Sequence, residues 1–218
     1  MTLRILIVDD QELFRTAIAL MLSRDPRLSD VATASSGEAA IEHVRAHAVD
    51  VVLMDIRMPG MDGIAATREV LRLRPATRVL ILTTFDLDEY VYAAIREGAS
   101  GFLTKDASPA ELADAAVAVA SGESVMSSRA TEALIGFVRD GAPGADPASA
   151  LAALSPREQE VARALATGAS NDDIARTLFL SANTVKTHVK AVLAKLGVPD
   201  RVHVVIWAYE NGLLRPGR

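Results

Sequence analysis

The chain has 218 residues, half of them apolar and 23% charged, a size that suits one large domain or two modest ones at roughly 100 to 200 residues per domain. It contains no cysteine and its aromatics reach only 4%, which excludes a disulfide framework, a cysteine-based zinc site, thiol catalysis and base-stacking sheets for single-stranded nucleic acid, and fits a reducing cytoplasm. The net charge of −5 argues against a nucleic-acid partner until it is divided along the chain.

Leu3 to Val8 is an apolar run of strand length, and Glu12 to Ser23 after it repeats its apolar residues at helical spacing. The run begins inside MTLRILIVDD, which lacks a signal-peptide layout, and no apolar stretch in the chain reaches the roughly 18 residues of a membrane span. Val31 to Ala34 reads as a weaker strand. Ser35 with Glu38 pairs a helix cap with a carboxylate three residues on, ahead of a helix over Glu38 to Ala46. Asp50 to Met54, Arg78 to Leu82 and Gly101 to Leu103 are further strands, separated by helices over Ile64 to Arg74 and Leu87 to Glu97, the second capped by Asp86 with Glu89. Ser108, Pro109 and Glu111 head a helix over Pro109 to Ala120. Five strands alternating with five helices predict a doubly wound α/β domain over 1–121, with a five-stranded parallel sheet covered on both faces.

The segment 122–151 reads as a linker that carries one helix, Ser128 to Val138, followed by DGAPGADPASA over Asp140 to Ala150, without a large apolar residue. From 152 to 217 the pattern is helical throughout. Ser155, Pro156 and Glu158 open one helix, which Gly168 stops; Ser170 with Asp173 opens a short one to Leu178, Ser181 another to Leu196, and Asp200 a last one ending at Asn211-Gly212.

Parallel α/β sheets carry their sites at the carboxyl ends of the strands. Standing there are Asp9 and Asp10 after the first strand, Asp55 after the third, Thr83 and Thr84 after the fourth, and Lys105 after the fifth. Each has a plainer reading alone: Asp10 as a helix cap, Thr83 as a β-branched strand residue, Lys105 as a solvated charge. Three carboxylates at one edge repel unless a cation lies among them, and a hard dication such as Mg²⁺ accepts carboxylate, water and phosphoryl oxygens. The set suits transfer of a phosphoryl group to an aspartate, with lysine and hydroxyl neutralising its oxygens.

Residues 1–121 resemble a CheY-like receiver domain of a two-component response regulator, a flavodoxin-like fold, through Asp9-Asp10, Asp55 followed by Met58-Pro59-Gly60, Thr83, and Lys105 preceded by Gly101-Phe102-Leu103. The resemblance implies that Asp55 is the phospho-acceptor and that Asp10, Asp55 and the backbone carbonyl of Arg57 bind Mg²⁺, with Asp9 assisting through water. It further implies that Lys105 pairs with the phosphoryl group, that Thr83 swings its hydroxyl onto it, and that Phe102 is an aromatic switch moving inward with Thr83.

In the back half, Ser170 to Lys195 sets two helices around the turn Phe179-Leu180-Ser181-Ala182, the spacing of a helix-turn-helix. Val185, Val189, Val192 and Leu193 fall on the inward face of the second helix, and Lys186, Thr187 and Lys190 on the outward one. Divided by segment, the charge is −6 over 1–121 (12 basic, 18 acidic), −2 over 122–150 (2 against 4) and +3 over 151–218 (9 against 6), and no acid occurs between Asp173 and Asp200. Four lysines serve the whole chain, Lys105, Lys186, Lys190 and Lys195, all where a phosphate is expected.

With Leu154-Ser155-Pro156-Arg157-Glu158 upstream and Asn171, Ile174-Ala175, Ser181, Asn183-Thr184-Val185-Lys186 and His188-Val189 in the motif, residues 152–217 resemble a LuxR-type helix-turn-helix. Receiver and helix-turn-helix together resemble the NarL/FixJ arrangement. By that resemblance Lys186, Thr187 and Lys190 face the major groove, Asn183, Thr184 and His188 lie near phosphates, and the last helix, with Val202, Val205, Ile206 and Trp207, carries dimerisation; His188 as a cap of the basic face and Trp207 as plain core stay open. The expectation is a cytoplasmic transcription regulator, not an enzyme. A sensor histidine kinase would phosphorylate it, and it would bind double-stranded DNA as a homodimer, with RNA polymerase as a further partner and no membrane. Two rivals are weighed against this. A haloacid-dehalogenase-type phosphatase resembles a motif with a second aspartate where Arg57 stands, and an unphosphorylated adaptor would have no use for the complete acidic and basic set.

Overall fold

The structure, a computed structural model, describes residues 2–84, 88–126 and 151–214. The chain divides into two compact units, Met1–Leu134 and Ile135–Arg218. In the first, strands and helices alternate as β1 (Leu3–Val8), α1 (Glu12–Leu22), β2 (Leu28–Ala34), α2 (Gly37–Ala46), β3 (Val51–Asp55), α3 (Gly63–Leu73), β4 (Arg78–Thr83), α4 (Asp88–Arg96), β5 (Gly101–Thr104), α5 (Pro109–Ala120) and β6 (Val125–Met126). The strands form one parallel sheet in the order β2-β1-β3-β4-β5-β6. The central strands β1, β3 and β4 are Val/Ile/Leu-rich and buried almost along their length, as strands covered on both faces must be.

Ile5, Ile7, Leu53, Leu80 and Leu82 point to one face of the sheet and pack with Ile18 and Leu22 of α1 and Leu112, Ala116 and Val119 of α5. Ala40, Val44, Ala66 and Val70 of α2 and α3 are fully buried as well. The strand order reverses between β1 and β3, because β1 lies between β2 and β3 while the chain runs on to β4 beyond β3. The carboxyl ends of β1 and β3 therefore flank the crevice where ligands of open α/β sheets bind.

Three local expectations change. β2 starts at Leu28, not Val31, because Leu3 of β1 pairs with Leu28 through a register shift; the ladder recruits Ser29 and Asp30 even though they break the apolar run. The cap of α2 is Ser36, whose hydroxyl accepts from Ala39 N–H, and not Ser35. The sheet has a sixth strand, β6, whose two residues pair with Gly101 and Phe102 and are too few to show a period. The expected helix over Ser128 to Val138 and the Asp86 cap lie outside the described residues.

The second unit holds α6 (Pro156–Ala166), α7 (Asn171–Leu178), α8 (Ala182–Leu196) and α9 (Arg201–Glu210) around Leu151, Leu154, Val161, Leu165, Ile174, Val185, Val192 and Val204. Ser155 with Glu158 and Ser170 with Asp173 both close reciprocal capping boxes, and Ser181 and Asp200 cap α8 and α9. Among the described residues no helix is long and apolar enough to cross a membrane.

Candidate functional site

β1 delivers Asp9 and Asp10 and β3 ends on Asp55, so the crevice at the sheet's reversal point brings their carboxylate oxygens within 4.8 Å of one another. Asp9 and Asp55 are buried and Asp10 is exposed. β5 runs beside β4 and carries Lys105 to the same place, its N–H bonded to the Thr83 carbonyl at 2.8 Å. The Lys105 ammonium lies 2.7 Å from Asp9 Oδ2 and 3.0 Å from Asp55 Oδ2, with the Phe14 ring of α1 at 5.0 Å on a further side. Asp9 is 1% exposed, and Lys105 is the cation against its Oδ2.

Burial pushes the Asp55 carboxyl above the ordinary aspartate value, and Lys105 only partly offsets this, with Asp9 adding repulsion. Burial pulls Lys105 down, but its two carboxylate partners outweigh that and hold it above the usual lysine range. One ammonium thus faces two buried carboxylates and an exposed third. An oxygen-only donor set with surplus negative charge fits a hard divalent cation and is typical of a Mg²⁺ site.

The loop after β3 is held by its own contacts. Gly63 donates to the Ile56 carbonyl at 2.9 Å, Asp62 caps α3, and Glu38 Oε1 accepts from Met61 N–H at 3.1 Å. Arg57 is exposed, its guanidinium 5.9 Å over the Tyr90 ring of α4. Between them a groove of about 420 Å³ opens on Asp10, Met58 and Pro59. A larger hollow, about 580 Å³, lies against α5 and Val125, lined by Ala107, Ala115 and Ala118 with Asp106, Glu111 and Asp114, of which Asp114 is paired with Arg27; the smaller groove is the one that holds Asp10 and the residues that follow Asp55.

Thr83 is buried and donates its hydroxyl to the Thr84 carbonyl at 3.0 Å. Phe102 is buried, 4% exposed. It stands on β5, paired with Ile81 of β4 and Met126 of β6.

In the second unit Lys186, Thr187, Lys190 and Asn183 are exposed on α8, and Thr184 and His188 are half-buried. The Ser181 hydroxyl accepts from Thr184 N–H, and the Thr187 hydroxyl donates to the Asn183 carbonyl at 3.1 Å. Lys195 departs from the expectation that every lysine awaits a phosphate: its ammonium is bonded to Glu158 Oε2 at 2.6 Å. On α9, Val202, Val205 and Trp207 are half-buried, with Trp207 packed against the core, and Ile206 is buried.

Sequence reasoning did not place Phe14 beside Lys105, bring Glu38 of α2 to the loop after β3, or give Phe179 its left-handed backbone in the turn. Only Phe179 left a signal, as a bulky residue where a glycine or asparagine is expected after a helix.

Residues 5–117 match the response regulator receiver domain, and residues 152–208 match the luxR family of bacterial regulatory proteins. The chain is 34% identical over 212 residues to the transcriptional regulatory protein LiaR of Bacillus subtilis (strain 168), covering 97% of this chain and 99% of that one. It is 37% identical over 213 residues to the DNA-binding transcriptional activator DevR/DosR of Mycobacterium tuberculosis (strain ATCC 25618 / H37Rv), covering 98% and 97%. Among solved structures, the response regulator ChrA of a heme-sensing two-component system is similar with a TM-score of 0.53 and 35% identity, over 98% of this chain and 99% of that one. The chain belongs to the response regulators that join a receiver domain to a LuxR-family helix-turn-helix, a family of phosphorylation-controlled, DNA-binding transcription regulators.

Proposed function

We propose that Asp55 accepts a phosphoryl group from the phosphohistidine of a sensor histidine kinase, and that this event controls binding of α8 to double-stranded DNA by a homodimer. The observation that carries the reading is the buried Asp9–Lys105–Asp55 cluster beside an open groove. An Asp55 carboxylate oxygen attacks phosphorus as the nitrogen–phosphorus bond breaks, and the histidine nitrogen leaves with the electron pair. Asp9, Asp10, Asp55 and the Arg57 carbonyl would hold Mg²⁺, which supplies charge neutralisation for the transferred group. Lys105, at 3.0 Å from Asp55, follows the new phosphoryl oxygens. The Thr83 hydroxyl exchanges its Thr84 carbonyl for one of them.

On the DNA side, Lys186, Thr187 and Lys190 enter the major groove while Asn183, Thr184 and His188 meet phosphates, and two copies joined through α9, with Val202, Val205, Ile206 and Trp207, read paired half-sites. Lys186→Ala should cost about 1 to 3 kcal/mol and relax specificity at one position if Lys186 reads a base; a uniform loss with a flatter salt dependence assigns it to a phosphate. The decisive experiment is selection of bound duplexes from a random pool, with and without phosphorylation, using Asp55→Asn as control. An inverted repeat enriched only in the phosphorylated wild type is the expected result; equal enrichment by Asp55→Asn would remove Asp55 from control.

A further inference from the structure

Phe179 combines two properties found together nowhere else among the described residues. It is the single non-glycine residue with positive φ, at 55°, and it is the most exposed large apolar residue, at 94%. Glycine adopts left-handed backbone at no steric cost and asparagine tolerates it, whereas a bulky side chain does so under strain. A ring in solvent gains nothing from the core in return. Strain kept at a fully exposed position points to a partner.

The place of the residue says which partner. Phe179 caps the C-terminus of α7, its N–H donating to the Ala175 carbonyl, and stands two residues before Ser181, the cap of α8. In a helix-turn-helix the first helix crosses the DNA backbone and the N-terminus of the second reaches base edges, so the turn between them passes the sugar wall of the groove. Thr177, Ser181, Ala182 and Asn183 on either side are exposed, and the stretch from Ile174 to Pro199 contains no acid that would repel phosphates.

We propose that Phe179 is a DNA-binding residue that lays its ring against the deoxyribose wall of the major groove entered by α8, an apolar contact independent of base sequence. The inference rests on α8 being the helix in the groove. Because sugars are common to every sequence, a mixed-sequence duplex is a sufficient probe.

The full chain, Phe179→Asn, Phe179→Leu and Lys186→Ala are compared for thermal midpoint and for affinity to that duplex across a salt series. Phe179→Asn should keep or raise the midpoint, since asparagine suits the backbone, yet bind about 5- to 10-fold more weakly with an unchanged salt slope, because no charge is lost. Phe179→Leu should retain part of the affinity. Unchanged affinity in Phe179→Asn while Lys186→Ala binds more weakly overturns the inference and leaves α8 as the DNA helix, with Phe179 then serving a protein partner. No effect from either variant overturns both readings, and a lowered midpoint in Phe179→Asn makes the residue structural.

Discussion

A methyl group on Gly63 would stand 1.9 Å from the carbonyl oxygen of Asp55 and 2.8 Å from its carbon, both backbone atoms that have no rotamer to yield. The first turn of α3 can lie against the acceptor's own peptide only because that position has no side chain. Gly63→Ala should therefore destabilise the receiver by about 1 to 3 kcal/mol, the usual cost of forcing an atom into a packed site, and slow phosphorylation of Asp55. Denaturant midpoint and phosphorylation rate read the two effects. Asp55 itself is held at a cost to folding, since burial raises its pKa. The folded chain then takes up the Asp55 proton more readily than the unfolded one, so this group's stability is present at low pH and lost as pH rises through the folded pKa. In the absence of divalent cations Asp55→Asn should be the more stable protein at neutral pH, and its advantage should shrink on acidification below that pKa; a gap that does not change with pH would place the cost elsewhere. Added Mg²⁺ should raise the midpoint of wild type more than that of Asp55→Asn.

Helix termini show which parts of the sequence spoke plainly. Glu158 closes the capping box of α6 and also receives Lys195 from the end of α8, joining two helices through one carboxylate. The Lys195 ammonium first, and the Ser155 N–H after it, hold the Glu158 carboxyl down to about 2. The sign follows from the depressed value: the contribution is present above the unfolded carboxylate pKa and is lost as pH falls through about 2. Thermal midpoints of wild type should drop on that acid limb more steeply than those of Glu158→Gln, and matching limbs would deny the pair a role. The box was legible because Ser155, Pro156 and Glu158 are neighbours in sequence, as were Ser108 with Glu111 and Ser170 with Asp173. Lys195 was not, because its partner lies 37 residues away and a lysine beside Lys186 and Lys190 reads as one more basic charge. The same separation governs the site. Asp9, Asp55 and Lys105 could be gathered at one sheet edge by counting strand ends, whereas Phe14 and Glu38 act from helices whose facing depends on packing. Ser36 displaced Ser35 because two adjacent serines offer the same chemistry and backbone geometry chooses between them.

Across the whole chain, the net charge of −5 hides opposite tasks, −6 over residues 1–121 with 12 basic and 18 acidic groups and +3 over 151–218 with 9 and 6. The acidic unit gathers Asp9, Asp10 and Asp55 into an oxygen donor set typical of a Mg²⁺ site, and the basic one leaves Lys186 and Lys190 exposed on one helix. A signal at Asp55 shifts DNA binding only through an element with two arrangements whose balance phosphorylation changes. Thr83 and Phe102 are the two residues expected to carry it, and their present states differ. The Thr83 hydroxyl is committed to the Thr84 carbonyl at 3.0 Å and would have an alternative acceptor once Asp55 is phosphorylated; Phe102 is buried on β5. The hydroxyl is the group for which the two states offer different hydrogen-bond partners, and the expected differential interaction is placed there. Thr83→Ala should still incorporate phosphoryl at Asp55, yet its DNA affinity should respond little to a small-molecule phosphodonor, since the group that distinguishes the two states is gone. Phe102→Leu keeps an apolar side chain in the same place and should retain most of the response. Measuring affinity with and without phosphodonor in both variants separates the roles: a response lost in Phe102→Leu but kept in Thr83→Ala would assign the switch to the ring instead of the hydroxyl.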